Sequence, residues 1–401
     1  MHTLMKILAI NAGSTSIKFK LFIMPNLFVV CSGIVNNIGK KNANLVFFHN
    51  NYLGHYDFNV PDHKVALELI INKLLDPSQN IIKKKSDISA IGHRVVHMGH
   101  KGSKSLIIDK KVLKIIEELG ELAPLHNPPS LACIKICMDL FSGVKNIGVF
   151  DTTFHKNIPE KSFLYPIPYK YYMKYKVRKF GFHGIAYNYI IDRISNLFNI
   201  NIKDSRIIAL MLGGGSSIIA FKDGKTIDTS MGFTPMGGDL PMSTRSGDLD
   251  PGLLFYLMKK EKIDLDEMNT IINKKSGIYG LSGRYSDFKN IVEGSIANEK
   301  DCKRAFNVYT YMIKKYIGSC AAVMNGVNVV VFGGGIGESS PTTREAILND
   351  LDFFGIKLDN GRNNNLKGDG IISTEDSKVK IIVVKVDEEY IIAKETYKLI
   401  I

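Results

Sequence analysis

One pattern occurs twice, roughly 200 residues apart, and it fixes most of what this chain can fold into. Lys6–Asn11 is an apolar, β-rich run, Ala12-Gly13-Ser14-Thr15 a small polar turn, and Ser16–Ile23 a second run. After Met24-Pro25-Asn26 a third run covers Leu27–Val35. The succession returns as Arg206–Leu212, Gly213-Gly214-Gly215, Ser216–Phe221, the turn Lys222-Asp223-Gly224-Lys225 and a run from Thr226. β-rich runs around a short small-residue turn spell a hairpin, and Asp-Gly is a strong turn signal. Two such units at corresponding places make a coarse internal duplication.

A turn reduced to Gly and Ser lets backbone N–H groups approach an anion, with hydroxyls as further donors. An ordinary tight turn looks the same at either place alone, but recurrence at matching positions favours phosphate binding. A third glycine segment, Gly333-Gly334-Gly335-Ile336-Gly337-Glu338-Ser339-Ser340-Pro341, follows the apolar run Val327–Phe332 and precedes a helical stretch from about Thr342. Strand, glycine loop and helix start form a nucleotide-binding geometry. Glu338 stands where a dinucleotide fingerprint needs its third Gly, and the sequence holds no G-x-x-x-x-G-K-[ST]. What remains is a duplicated α/β fold with separate loops for phosphate and adenosine.

Composition narrows the class. The 401 residues are 45% hydrophobic and 23% charged, values of a globular protein that exclude a disordered or fibrous one. Only nine Arg stand among 52 basic residues, and the longest basic run is Lys83–Lys85, so the net charge of +13 gives no nucleic-acid signature. Five Cys, an odd set without C-x-x-C, point to a reducing compartment; Cys133 and Cys137 read as buried small hydrophobes. With neither a leader pattern nor an apolar stretch near 20 residues, the expectation is a cytoplasmic chain without membrane contact. Strands are expected at Ala90–Val96, Val144–Phe150 and Val379–Val386, and helices at about Pro129–Leu140, His183–Leu197, Asp250–Lys260, Ala305–Asn325 and Asp387–Tyr397. The expected domains are 1–151 with 387–401, and 152–386.

Scarce Arg makes two positions informative. Arg94, in the strand Gly92–Val96, needs a carboxylate or phosphate partner, and Arg245 lies in a small-residue loop suited to an anion. A structural ion pair is the bland alternative for each. His183, between glycines at a helix start, is a candidate donor to a transferring phosphoryl group, or else a cap or core residue. Asp151 follows a strand at its carboxyl end, where open α/β sheets meet ligands, or else forms an Asx turn. Glu388 could simply be an acid favouring a helix N-terminus. His93 and His97 are read on one strand face near His100, without an acid or Cys at metal-ligand spacing.

These residues, taken together, resemble the acetate kinases over essentially the whole chain. The matching runs are Asn11–Lys18, Gly92–His97, Leu122–Pro128, Val149–His155, Phe180–Gly184, Asp228–Pro235, Thr244–Pro251, Gly335–Glu338 and Asp387–Glu389, in the family's order. The resemblance implies a duplicated actin-like ATPase (ribonuclease H-like) fold with an active-site cleft between two domains, a homodimer, ATP/ADP, and Mg2+ for which Mn2+ may substitute. It implies reversible phosphoryl transfer from ATP to acetate or another short-chain carboxylate. Asn11 and Glu388 would hold the metal. Lys18 and Met211, Leu212, Gly213, Gly214 and Gly215 would contact ATP phosphates. Asp287, Phe288, Lys289, Gly335, Ile336, Gly337, Glu338 and Ser339 would surround adenosine. Arg94 would take the acceptor carboxylate, His183 and Arg245 the phosphoryl group, and Asp151 would be the catalytic acidic residue. Val96, Leu125, Phe182 and Pro235 would line a small apolar pocket.

The chain departs from the family pattern at Met211 and Gly214 in the phosphate loop, at Lys289, where Arg is usual, at Ile185-Ala186-Tyr187, and in a longer Pro235–Arg245 loop. A propionate or butyrate kinase would share the phosphoryl-transfer residues. A non-metabolic actin-like ATPase would share the loops but have no use for Arg94 beside an apolar pocket.

Overall fold

The computed structural model describes residues 4–401 except Ser103 and Leu125. Leu125, expected in the acceptor pocket, thus lies outside the described residues. Contacts group the chain into two compact units: Met1–Phe154 with Gly184–Tyr189 and Asp387–Ile401, and His155–His183 with Ile190–Val386.

The first unit is built on eight strands: β1 (Met5–Ala12), β2 (Ile17–Met24), β3 (Phe28–Asn36), β4 (Asn44–His49), β5 (Tyr52–Asp57), β6 (Ile88–Val95), β7 (Leu106–Ile107) and β8 (Lys145–Phe150). They lie in the order β5-β4-β3-β2-β1-β6-β8-β7. β1 pairs antiparallel with β2 and parallel with β6, and β6 pairs parallel with β8. Alternation in β2 buries Ile17, Phe19 and Leu21 and turns Lys18 and Lys20 to the other face. The final helix, Glu388–Ile400, packs on β1 and β6. Gly92 permits that approach, because a Cβ there would stand 2.2 Å from Thr396 Oγ1.

The second unit has six strands: β9 (Ile207–Leu212), β10 (Ser216–Lys222), β11 (Lys225–Thr229), β12 (Val329–Gly333), β13 (Gly370–Ile371) and β14 (Lys380–Val383), ordered β11-β10-β9-β12-β14-β13. β9 pairs antiparallel with β10 and parallel with β12, and β12 pairs parallel with β14. The series β3-β2-β1-β6-β8 is therefore matched, strand for strand and sense for sense, by β11-β10-β9-β12-β14. The repeated hairpin was the visible part of a five-stranded repeat.

β9 and β12 read as unbroken apolar runs rather than alternating ones, as strands covered on both faces do. Helix Lys300–Met324 seals one face of this sheet through Tyr309, Ile313, Ile317 and Cys320. Cys31, Cys133 and Cys137 are buried in the first unit's core, and Cys302 and Cys320 in the second's.

Three expectations need correction. The strand bearing His93 ends at Val95, so His97 lies beyond it; its backbone N–H bonds Asn127 Oδ1 at 3.0 Å, and His93 Nε2 meets Asn146 Oδ1 at 2.7 Å. The expected strand Val379–Val386 is the shorter β14. The third glycine loop is itself a short helix, Gly334–Ser339, followed by a second, Pro341–Leu348.

Candidate active site

At the carboxyl ends of β1, β6 and β8, three adjacent strands deliver Asn11, Arg94 and Asp151. Arg94 donates from Nε (3.1 Å) and Nη2 (2.8 Å) to Asp151 Oδ2, and from Nη1 to Asn11 Oδ1 at 3.3 Å. Asp151 is wholly buried, and its Oδ1 accepts from the Ile185 N–H at 3.2 Å. Burial pushes the Asp151 carboxyl above the usual range against the pull of Arg94 and the Ile185 amide. Burial opposes the Arg94 charge, but the carboxylates of Asp151 and Glu388 outweigh it and raise its pKa. Asp151 thus fixes the plane of the guanidinium from one edge.

The first turn of the last helix adds acids beside Asn11. Asn11 Nδ2 donates to Glu388 Oε2 at 2.8 Å and to Glu389 Oε1 at 3.2 Å. Lys20 pairs with Asp387 at 2.5 Å. Burial, then the neighbouring Glu388, pushes the Glu389 carboxyl up, while Lys20 and Lys18 draw it down. Lys18 is exposed and stands opposite Asn11 across the β1–β2 pair. Among the described residues no three acidic, imidazole or thiol side chains converge as a metal cage. Asn11 and Glu388 offer instead one amide and one carboxylate, the sparse oxygen set that suits Mg2+ retaining most of its waters. Glu389 and Lys20 were missed from the sequence, although Lys20 shares a strand face with Lys18 and Glu389 adjoins Glu388.

The second unit holds a cavity of about 560 Å3 lined by Gly213, Gly214, Ser243, Asp287, Phe288, Lys289, Gly335, Ile336, Ser339 and the Ser340–Thr342 turn. Ser286, Val292 and Glu293 complete it, and no sequence signal marked them. Met211 and Leu212 belong to β9, with Leu212 fully buried in the core, and neither lines the cavity. Nor do Gly337 and Glu338. The Glu338 carboxylate instead accepts from Gly334 N–H (2.9 Å) and Val386 N–H (3.1 Å), and burial pushes its pKa up. Gly334 takes φ +77°, where a Cβ would meet the Leu212 backbone at 2.7–3.0 Å. Backbone hugging backbone, with Glu338 on the turn, makes a helix of a segment that propensity alone reads as loop. Arg344, nearly fully buried, bonds the Gly337 and Glu338 carbonyls at 2.8 and 3.1 Å.

His183, at φ +57°, caps helix Gly184–Phe198, and its Nδ1 contacts Ser217 Oγ at 2.8 Å. Its other nitrogen points to the Gly213–Gly215 turn: a Cβ built on Gly215 would stand 3.4 Å from His183 Nε2 and 3.8 Å from Arg245 Nη1. Arg245 Nη1 donates to the Pro235 carbonyl (2.8 Å) and to Met242 Sδ (3.0 Å), and burial lowers its pKa. Phe182 and Pro235 are buried beside these residues in the same unit, and Val96 is buried in the first. An imidazole and a guanidinium thus converge at a turn without side chains.

A duplicated sheet carrying a glycine-walled cavity in one copy and an oriented guanidinium in the other defines a phosphotransferase of the actin-like ATPase fold. The chain belongs to the acetokinase family, whose profile matches residues 6–394. The acetate kinase of Thermotoga maritima is 47% identical over 399 residues, 99% of each chain. The crystal structure of Porphyromonas gingivalis acetate kinase superposes with a TM-score of 0.90 at 40% identity, covering 99% of this chain and 100% of that one. A propionate kinase from Francisella tularensis gives the same TM-score at 32% identity, covering 98% and 100%. Membership makes this an enzyme that uses ATP/ADP and a carboxyl group as phosphoryl acceptor. No helix among the described residues is long and apolar enough to cross a membrane.

Proposed function

We propose that the chain catalyses reversible transfer of the γ-phosphoryl group of ATP to acetate, giving acetyl phosphate and ADP, as a cytoplasmic homodimer. The convergence of His183 Nε2 and Arg245 Nη1 on Gly215, beside the glycine-lined cavity, carries this reading. The acceptor carboxylate is already ionised at pH 7, since such groups have pKa values near 4, so no base is needed. The barrier is the approach of two anions. Arg94 would bind the acceptor carboxylate, with Asp151 holding its guanidinium as an orienting acid rather than a base. His183 and Arg245 would stabilise charge on the equatorial oxygens during in-line transfer. Asn11 and Glu388 would hold Mg2+, or Mn2+ in its place, through water; the ion supplies charge neutralisation at the phosphates. Lys18 would add a cation for the polyphosphate, and Asp287–Lys289 would border adenosine. Val96, Phe182 and Pro235 would set the size of the acyl pocket.

An acyl-phosphate assay with acetate, propionate and butyrate side by side tests the reading. Acetate should give the highest kcat/KM; one methylene is worth about 1–3 kcal/mol in such a pocket. A preference for propionate or butyrate would move the acceptor assignment, and ATP turnover indifferent to all three would overturn it. Sedimentation of the purified chain tests the dimer.

A further inference from the structure

The segments that carry His183 and Arg245 also carry a group of half-buried charges with no part in the chemistry above. Lys179 precedes His183 by four residues, and Asp239 precedes Arg245 by six. Lys179 Nζ lies 3.6 Å from Asp239 Oδ2. The Tyr316 hydroxyl, from helix Lys300–Met324, donates to the Asp239 carboxylate, and Asp228 of β11 brings a second carboxylate into the field of Lys179. Burial pushes both carboxyls up, and Lys179 is the first influence drawing each back.

Main-chain bonds show what the pair joins. Lys179 N–H reaches the Phe163 carbonyl (2.8 Å), Phe180 N–H the Gly232 carbonyl (3.0 Å), and Asp239 N–H the Ser230 carbonyl (2.8 Å). Gly238 at φ +144° and Gly247 at φ +77° bracket the stretch from Asp239 to Arg245 with two turns that other residues rarely adopt. Within that stretch the Arg245 guanidinium itself rests on Pro235 and Met242 of its own loop. The Lys179–Asp239 pair is a side-chain tie between that loop and the His183 segment. Neither residue lines the nucleotide cavity; Lys179 and Asp228 line a separate one of about 770 Å3, together with Tyr165, Lys222 and Lys225.

We propose that Lys179 and Asp239, braced by Tyr316, are positioning residues that hold the His183 segment and the Arg245 loop in register for phosphoryl transfer. The proposal rests on the reading that His183 and Arg245 meet the transferring phosphoryl group. A partly buried ion pair suits such a tie, because removing one partner leaves the other charge uncompensated and drives local rearrangement. A displacement near 1 Å at a reacting group costs up to about 10²-fold in rate.

The test is steady-state kinetics on the full-length enzyme, normalised to nucleotide-binding sites titrated with a fluorescent ATP analogue. Lys179→Met and Asp239→Asn should each lower kcat about tenfold while leaving the KM for ATP within about twofold. Lys179→Arg, which keeps the charge, should recover most of the lost kcat. Lys225→Met, on the rim of the same cavity, should leave kcat unchanged, separating the tie from a general charge effect. Wild-type kcat in Lys179→Met and Asp239→Asn would overturn the proposal, as would a deficit that vanishes on normalisation to competent sites. His183→Ala and Arg245→Ala form a separate arm. If these keep full kcat, the phosphoryl-site reading has failed; if they lose it while the Lys179 and Asp239 variants do not, only the tie has failed.

Discussion

The two sheets share one plan and differ in what stands at their strand ends. In the first, Asn11 and Arg94 are neighbours on β1 and β6; the register-equivalent pair on β9 and β12 is Met211 and Gly333. The hairpin turn after Asn11 is Gly13-Ser14-Thr15, and the one after Met211 is three glycines. One copy therefore sets charged side chains on its strand ends, whereas the strand ends and turn of the other carry none. A small carboxylate offers only two oxygens and needs a formal, well-aimed positive charge. A polyphosphate offers many oxygens and is met by backbone N–H groups wherever side chains leave room. On the proposed reading, duplication would let one topology serve both.

The first way to break this comparison is to remove the aimed charge. Arg94→Ala should lower kcat/KM for acetate by about 10²–10³, raise the acetate KM at least about tenfold, and spare the KM for ATP. An unchanged acetate KM would place the acceptor elsewhere. Asp151→Asn should raise the acetate KM and lower kcat, because the Arg94 guanidinium loses the carboxylate that fixes its plane; unchanged acetate kinetics would speak against an orienting role.

Each unit also carries a buried imidazole that burial lowers from the ordinary 6.5 to about 4: His93 in the first and His155 in the second. Below pH 6.5 the unfolded chain binds protons that these folded rings refuse until about pH 4. Their stabilisation is thus complete above pH 6.5 and is lost as the pH falls towards 4, on the order of 3 kcal/mol for each ring. His93→Gln and His155→Gln should each shrink the gap between urea midpoints at pH 7 and pH 5. An undiminished gap would mean that the rings are charged in the native protein.

Filling the glycine turn is a gentler perturbation. Gly215→Ala should lower kcat about tenfold, because the methyl group would enter the space shared by His183 and Arg245, while Tm stays near wild type. A large fall in Tm with normal kcat would make the glycine a folding requirement instead. The smallest effect belongs to the cavity's outer edge, where Lys289 is mostly exposed and pairs with Glu293 at 3.8 Å. Lys289→Arg should lower the KM for ATP by about two- to threefold through a planar stacking surface; no change would mean that the residue does not touch the base.

How much of this was legible depended on whether the signal was local. The hairpins were readable because apolar runs met small turns, and Arg94 because a guanidinium in an apolar strand demands a partner, which proved to be Asp151. The β4–β5 hairpin was overlooked although Asn50-Asn51 joins its strands, both residues adopting the positive φ that Asn tolerates. The Gly334–Ser339 helix was out of reach, since it is held by the Glu338 carboxylate, which accepts from Gly334 and the distant Val386, and by Arg344 of the next helix, rather than by the propensity of its residues. Glu338 likewise reads as an adenosine-side residue until its two backbone partners are known. Ser217, Ser286 and Val292 carry no pattern of their own and acquire meaning only from what they adjoin.

The five buried cysteines also make the molecule its own unfolding gauge. Burial pushes the thiols of Cys31 and Cys133 up to about 12 and those of Cys137 and Cys320 well above the ordinary value, so almost no thiolate is offered to an oxidant or a chromogenic disulfide reagent. Three of the five sulfurs report on one unit and two on the other. In a pulse-labelling series, release of two sulfurs before the remaining three, or three before two, would reveal units that melt separately, and simultaneous release of all five a single cooperative transition.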